Sequence, residues 1–151
     1  MKVRDLMSGD VRTCRPETSL AEAVRHMREG DCGVLPVVND EGRVTGVITD
    51  RDICIALATR GRSADRIAVR EVAQGHVNTC LRDDDATVAL LAMKAHKVRR
   101  LPVVDAEGHV QGMLSLNDVV THAGSASPTE VVSTLASICE HRRPTAIAGA
   151  A

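Results

Sequence analysis

Two seven-residue stretches place a hydroxyl three residues ahead of a carboxylate: Gly46-Val47-Ile48-Thr49-Asp50-Arg51-Asp52 and Gly112-Met113-Leu114-Ser115-Leu116-Asn117-Asp118. An ionised carboxylate only accepts hydrogen bonds, so Asp52 or Asp118 can take two from a pair of neighbouring hydroxyls. Where these stretches open helices, the hydroxyls of Thr49 and Ser115 lie beside free backbone N–H groups and the positive end of a helix dipole, which favour phosphate. The same spacing is also a helix-capping pattern, in which hydroxyl and carboxylate satisfy the backbone and do nothing else. The two readings are compatible, because a hydroxyl can cap while a carboxylate binds.

Phosphate also calls for cations, and the two stretches differ in what surrounds them. The second half carries His96-Lys97-Val98-Arg99-Arg100 where the first has Gly30-Asp31-Cys32-Gly33-Val34. The first half offers Arg51 inside its own motif, beside Asp52. Phosphate affinity is therefore expected near both motifs, and more strongly around Arg99, Arg100 and Asp118. A solvated basic turn is the plainer account of either arginine alone.

The elements that position these groups come as a duplicate. A shift of 66 residues aligns 3–54 with 69–120 without a gap and makes seventeen positions identical, the signature of an internal repeat. Val11-Arg12-Thr13-Cys14 pairs with Val77-Asn78-Thr79-Cys80, and Leu35-Pro36-Val37-Val38 with Leu101-Pro102-Val103-Val104. In each copy a short extended segment leads to a helix. In copy one Thr18 or Ser19 caps it, Leu20, Ala23, Val24 and Met27 form its apolar stripe, and Gly30 ends it. Two β-branched runs follow, 34–38 and 44–48, joined by the turn residues Asn39-Asp40-Glu41-Gly42 and read as an antiparallel hairpin. A second helix runs from about Asp50 to Arg60. Copy two repeats the series with a helix near 85–96, strands at 101–104 and 110–114, and a helix from about Asn117. The expected fold is α+β: two tandem βαββα repeats, 3–64 and 69–124, packed about a pseudo-twofold axis. One copy is too small to bury its own faces easily, and clefts between packed copies are natural ligand sites.

The Leu-Pro-Val-Val strand, the Glu-Gly turn and the Gly-x-x-(Thr/Ser)-x-x-Asp motif, in that order and in duplicate, resemble the CBS domain. From residue 3 to about 124 the chain resembles a CBS pair, or Bateman module. The resemblance implies a regulatory protein without catalysis, which binds an adenosine-type ligand, AMP or ATP foremost, as a regulatory ligand and not an obligatory cofactor. It implies that Thr49, Arg51, Asp52, Ser115 and Asp118 meet ribose and phosphate, and that Arg99 and Arg100, just before the strand containing Pro102, reach phosphate. It places the base against the first segment of the opposite copy, Thr13-Cys14 or Thr79-Cys80. It also implies a homodimer associated through helix faces, and a module that acts through an effector protein, through self-association or by binding a ligand for its own sake, three routes the sequence leaves open. The competing readings are a dimeric scaffold whose clefts bind nothing and a redox-responsive protein using Cys14.

Composition narrows the other classes. The chain has no Phe, Tyr or Trp, so it lacks the stacking platforms of general single-strand binders. Nineteen basic and twenty acidic residues give a net charge of −1, a balance that draws neither nucleic acid nor an anionic membrane. Met1-Lys2-Val3-Arg4-Asp5 is no signal peptide and no run is long enough to span a bilayer, so a cytoplasmic location is expected. No hydrolase elbow, P-loop, dinucleotide fingerprint or HExxH motif is present. The six histidines are dispersed and the five cysteines form no CxxC pair, so no metal site is expected and free thiols are. Cys14 and Cys80 read as small buried apolar residues. Beyond the repeats, Ser127-Pro128-Thr129-Glu130 opens a helix over 127–143 with Val131, Val132, Leu135, Ile138 and Cys139 on one stripe. His141-Arg142-Arg143 suits its end, and 145–151 reads as disordered.

Overall fold

The computed structural model describes residues 1–122 and 127–140. The end of the last helix at 141–143, the tail 145–151 and the last residues of the second repeat, 123–124, lie outside the described residues. Each copy contains a helix, a hairpin and a second helix. In copy one these are α1 (Leu20–Glu29), β1 (Val34–Val38), β2 (Val44–Thr49) and α2 (Asp50–Arg60). Copy two contains β3 (Cys80–Leu81), α3 (Ala86–His96), β4 (Arg100–Val104), β5 (Val110–Ser115) and α4 (Leu116–Thr121), and α5 (Pro128–Cys139) follows.

The hairpins share one register. β1 and β2 are antiparallel with Val37 opposite Gly46, β4 and β5 likewise with Val103 opposite Gly112, and both carry a bulge one residue further on. The first extended segment of copy two pairs parallel to β4 as β3, Cys80 beside Val103. In copy one the same segment makes only a single bridge, Cys14 beside Val37.

Each copy's opening segment crosses to the other copy, which the repeat pattern alone does not reveal. Val3 and Leu6 lie in the core built by α3, β4, β5 and α4, while Ile67 and Val69 lie in the core built by α1, β1, β2 and α2. Val3 donates its N–H to Asp84 O at 2.9 Å, and Val69 donates to Thr18 O at 2.8 Å. Ser8 and Met113 exchange both backbone hydrogen bonds at 3.0 Å, and Gln74 and Val47 do the same at 3.0 and 3.2 Å. Ion pairs Arg4–Asp83 and Arg70–Glu17 repeat the exchange at the surface. The pseudo-twofold axis passes between Arg43 and His109, equivalent residues that form an antiparallel bridge with each other. Val44 N–H donates to Gly108 O at 3.0 Å and Val110 N–H to Gly42 O at 3.3 Å.

Local expectations fare unevenly. Ser19 caps α1, its hydroxyl accepting from Glu22 N–H at 3.2 Å. Gly30 follows the helix with φ −90°, and the left-handed turn falls on Asp31 and on its counterpart Lys97 (φ 46° and 53°). Val24 is 44% exposed, because α1 buries the narrower stripe Leu20, Ala23 and Met27. On α5 the stripe divides: Val131 and Ile138 pack on the second core and Thr134 is buried, whereas Val132 and Leu135 face outward.

The crossing segments explain why both copies place a glycine at this position, Gly46 and Gly112. A Cβ at Gly46 would stand 2.7 Å from Gln74 O, and one at Gly112 2.6 Å from Ser8 O. Neither backbone oxygen can yield without breaking its ladder. Gly46→Ala and Gly112→Ala should each lower stability by about 1–3 kcal/mol, read by circular dichroism in denaturant. Gly75→Ala, with nothing within 4 Å of its Cβ, should stay within about 0.5 kcal/mol of the parent. Equal effects at all three positions would contradict the packing account.

Candidate functional site

A cleft of about 1100 Å³ lies where the copies meet. Copy one contributes Thr49, Asp50, Arg51 and Asp52 from the strand-to-helix junction, together with Gly33 and Val34 before β1. Copy two contributes Arg99, Arg100 and Pro102, the His96-Lys97-Val98 turn, and Gln74 and His76–Asn78 from its crossing segment. Of the residues singled out in the sequence, Thr49, Arg51, Asp52, Arg99, Arg100 and Pro102 are thus brought together. The arginines share this cleft with Asp52, whereas sequence reasoning grouped them with Asp118. Ser115, Asp118, Thr13, Cys14, Thr79 and Cys80 do not line it.

The Thr49 motif forms a complete capping box. Thr49 Oγ1 accepts from Asp52 N–H at 3.1 Å, and Asp52 Oδ2 accepts from Thr49 N–H at 3.2 Å and from its hydroxyl at 2.7 Å. Ser115 and Asp118 repeat it at 3.2, 2.7 and 2.6 Å. Two donors fill Oδ2, so Asp52 presents Oδ1 to the cleft, where Gln74 Nε2 lies at 3.4 Å. With Gln74 donating to it, Oδ1 keeps one further acceptor position for a ligand hydroxyl, and takes both hydroxyls of a diol where Gln74 gives way.

The expectation of free N–H groups at the start of α2 is corrected. Asp50 N–H donates to Gly33 O at 3.0 Å, Arg51 N–H to the Asp50 carboxylate at 2.7 Å, and Asp52 N–H to Thr49. With the first three donors engaged and Asp50 already supplying a negative charge, this helix end is not an open anion site. Recognition of an anion falls instead to side chains. Arg51, Arg99 and Arg100 are exposed and make no ion pair among the described residues. Lys97 pairs with Glu140 at 3.0 Å, and the end of α5 (Ile138 and Cys139) with its C-cap residue Glu140 adds to the wall. Sequence reasoning missed His76, Asn78 and the α5 residues, since no local pattern shows which segment crosses over.

Cys14 and Cys80 occupy the two separate cores. Burial pushes both thiols up to about 12, with Asp84 adding to the effect at Cys80. A thiol held protonated and out of solvent is a poor nucleophile. Elsewhere Asp105, Glu107 and His109 bring potential metal-ligand atoms within 4.8 Å of one another. The Asp105 carboxylate there already accepts from Glu107 N–H, His109 N–H and Gln111 Nε2 and pairs with the His109 ring, and these bonds build the β4–β5 turn. Desolvation raises the Asp105 carboxyl, but the hydrogen bonds and charge of His109 and the Glu107 N–H outweigh it and hold the carboxyl below its ordinary range. No helix among the described residues is long and apolar enough to cross a membrane.

The duplicate motif, the hairpin register and the inter-repeat cleft define a tandem-repeat module with a site between its copies. The CBS domain family matches residues 3–59 and 69–125, and the chain belongs to that family as a tandem CBS pair. Among curated relatives, "CBS domain-containing protein YhcV" of Bacillus subtilis is 32% identical over 134 residues, covering 82% of this chain and 91% of that protein. An uncharacterized protein of Methanopyrus kandleri is 29% identical over 120 residues, and the chain spans 61% of its length. Among solved structures, the CBS pair of protein MJ0100 in complex with 5-methylthioadenosine and S-adenosyl-L-methionine superposes with a TM-score of 0.73 at 26% identity, covering 80% of this chain and 94% of that one. CBSX2 in complex with AMP superposes with a TM-score of 0.69 at 26% identity, covering 81% and 95%.

Thiol accessibility tests the placement of the cysteines. Under native conditions an alkylating reagent should modify the exposed Cys54 and Cys139 and spare Cys14 and Cys80 until the protein unfolds. Native modification of Cys14 on the timescale of Cys54 would restore the redox reading.

Proposed function

We propose that this protein is a non-catalytic sensor that binds an adenine nucleotide, AMP or ATP, in the cleft between its two CBS repeats. The observation that carries this reading is the convergence on one cleft of the Asp52 carboxylate with three guanidiniums that make no ion pair among the described residues. Asp52 Oδ1 accepts from the ribose hydroxyls, with Gln74 beside it. Arg51, Arg99 and Arg100 neutralise phosphate through charge-assisted bonds. The base lies among Val34, Val47, Val77, Val98, Pro102 and Met113, an aliphatic substitute for aromatic stacking. Similar solved structures with AMP, or with methylthioadenosine and S-adenosylmethionine, support an adenosine ligand; the cluster of arginines favours the phosphorylated ones. The Ser115–Asp118 motif, with Thr13 at the end of the opposite copy's opening segment, is proposed as a secondary site related to this cleft by the repeat; Thr79 stands next to Asn78 on the primary side, and Cys14 and Cys80 lie in separate cores.

Ligand binding shifts the packing of the repeats only through differential affinity for two arrangements, and a coupling of about 1–3 kcal/mol is typical. The change passes to a second subunit or an effector protein. Val24, Ile55, Leu57, Val88, Leu91 and Val120 stay exposed on α1 to α4, and this apolar surface supports a homodimer through helix faces. A cytoplasmic setting fits the unpaired thiols.

Calorimetric titration with AMP, ATP and adenosine tests the site. Asp52→Ala should weaken all three, by about 1.5–3 kcal/mol, while Thr49→Val should cost stability with less effect on binding. Arg100→Ala should weaken AMP and ATP and leave adenosine near the parent value. Losses at Thr49 equal to those at Asp52 would reduce the motif to a helix cap, and equal losses for all three ligands at Arg100 would remove its phosphate role.

A further inference from the structure

Helix α5 lies outside both stretches that match the CBS family, and the repeat offers no counterpart to it. Its end and C-cap residue nevertheless form part of the cleft wall through Ile138, Cys139 and Glu140. Several contacts hold it there. Val131 and Ile138 pack on the core of copy two. Lys94 Nζ donates to Ser133 Oγ at 2.6 Å, and Ser137 Oγ donates to Lys94 O at 3.2 Å. At the end of the helix Lys97 Nζ donates to Glu140 Oε2 at 3.0 Å. Lys97 stands in the left-handed turn after α3, two residues before Arg99, and lines the same cleft.

We infer that Glu140 is a specificity-determining residue of this cleft, a built-in carboxylate that neutralises Lys97 and that a ligand phosphate must displace. The inference rests on the proposed nucleotide reading and adds to it a residue outside the repeats. With Asp50 and Asp52, Glu140 opposes the charge of Arg51, Lys97, Arg99 and Arg100. A neutral nucleoside enters without disturbing the pair. A nucleotide competes with Glu140 for one of four cations, so Glu140 selects against weakly held phosphate and keeps the cleft from filling with inorganic anions. The side chains of Lys97 and Glu140 are 33% and 68% exposed, so solvent screens the pair and the effect is a few-fold one.

The test uses the full chain with Glu140→Gln and Glu140→Lys, titrated with AMP, adenosine and inorganic phosphate. Glu140 is exposed at the helix end, so both variants should melt with the parent. Glu140→Gln should bind AMP about two- to fivefold more tightly, Glu140→Lys more tightly again, and both should bind inorganic phosphate better than the parent, with adenosine unchanged. If the parent binds AMP and neither variant gains, or if adenosine gains equally, Glu140 does not select by charge and the inference falls while the nucleotide reading stands. If the parent binds neither AMP nor adenosine, both fall.

Discussion

The reciprocal exchange of opening segments is the constraint on which the rest of this structure depends. Val3 and Val69 are fully buried, each in the core of the copy to which it does not belong by sequence. Neither copy completes its core alone, so folding and the relation between copies are one problem. The exchange also builds the cleft. The segment that seals the first core with Val69 continues past Gln74 to Asn78 along the Asp52 motif, and Gln74 touches Asp52 Oδ1. A ligand in this cleft therefore touches a motif from one copy and a crossing strand and pre-strand turn from the other, and any change in their spacing reaches both cores.

The capping box and the carboxylate that lines the cleft are one device used on two edges. Asp52 Oδ2 is consumed by Thr49, which fixes the carboxylate in place and turns Oδ1 to the cleft. A carboxylate held by the backbone loses little freedom when it binds. The same economy closes the helix end to phosphate, since Gly33, the Asp50 carboxylate and Thr49 take its first three N–H groups. The positive charge of the cleft is carried instead by long side chains on opposite walls, Arg51 on one and Arg99 and Arg100 on the other, whose reach is adjustable at a cost in side-chain entropy.

Much of this was legible in the sequence because duplication tests each pattern twice. The hairpins stood out through the Leu-Pro-Val-Val runs and the Glu-Gly turns, and the junction motif through its repeat at Thr49-x-x-Asp52 and Ser115-x-x-Asp118. The crossing of Val3–Ser8 and Val69–Gln74 did not, because a short apolar segment carries no mark of which core it fills. The role of Gly46 and Gly112 followed the same gap: each makes room for a backbone oxygen of the other copy. The grouping of Arg99 and Arg100 with Asp52 is a consequence of the pseudo-twofold packing and not of sequence proximity. The exposure of Val24 and Val132 shows the limit of counting apolar residues on a helix, where only the partner element decides how wide the buried stripe is.

The absence of Phe, Tyr and Trp makes the central claim directly measurable. The chain contributes almost no absorbance near the adenine maximum, so equilibrium dialysis against AMP or ATP, read in the ultraviolet, reports bound nucleotide without correction for protein. The account predicts saturable uptake by the parent chain, lost when Asp52 and Arg100 are both replaced by alanine. Equal absorbance on the two sides of the membrane at millimolar nucleotide, with the parent chain folded, would contradict it.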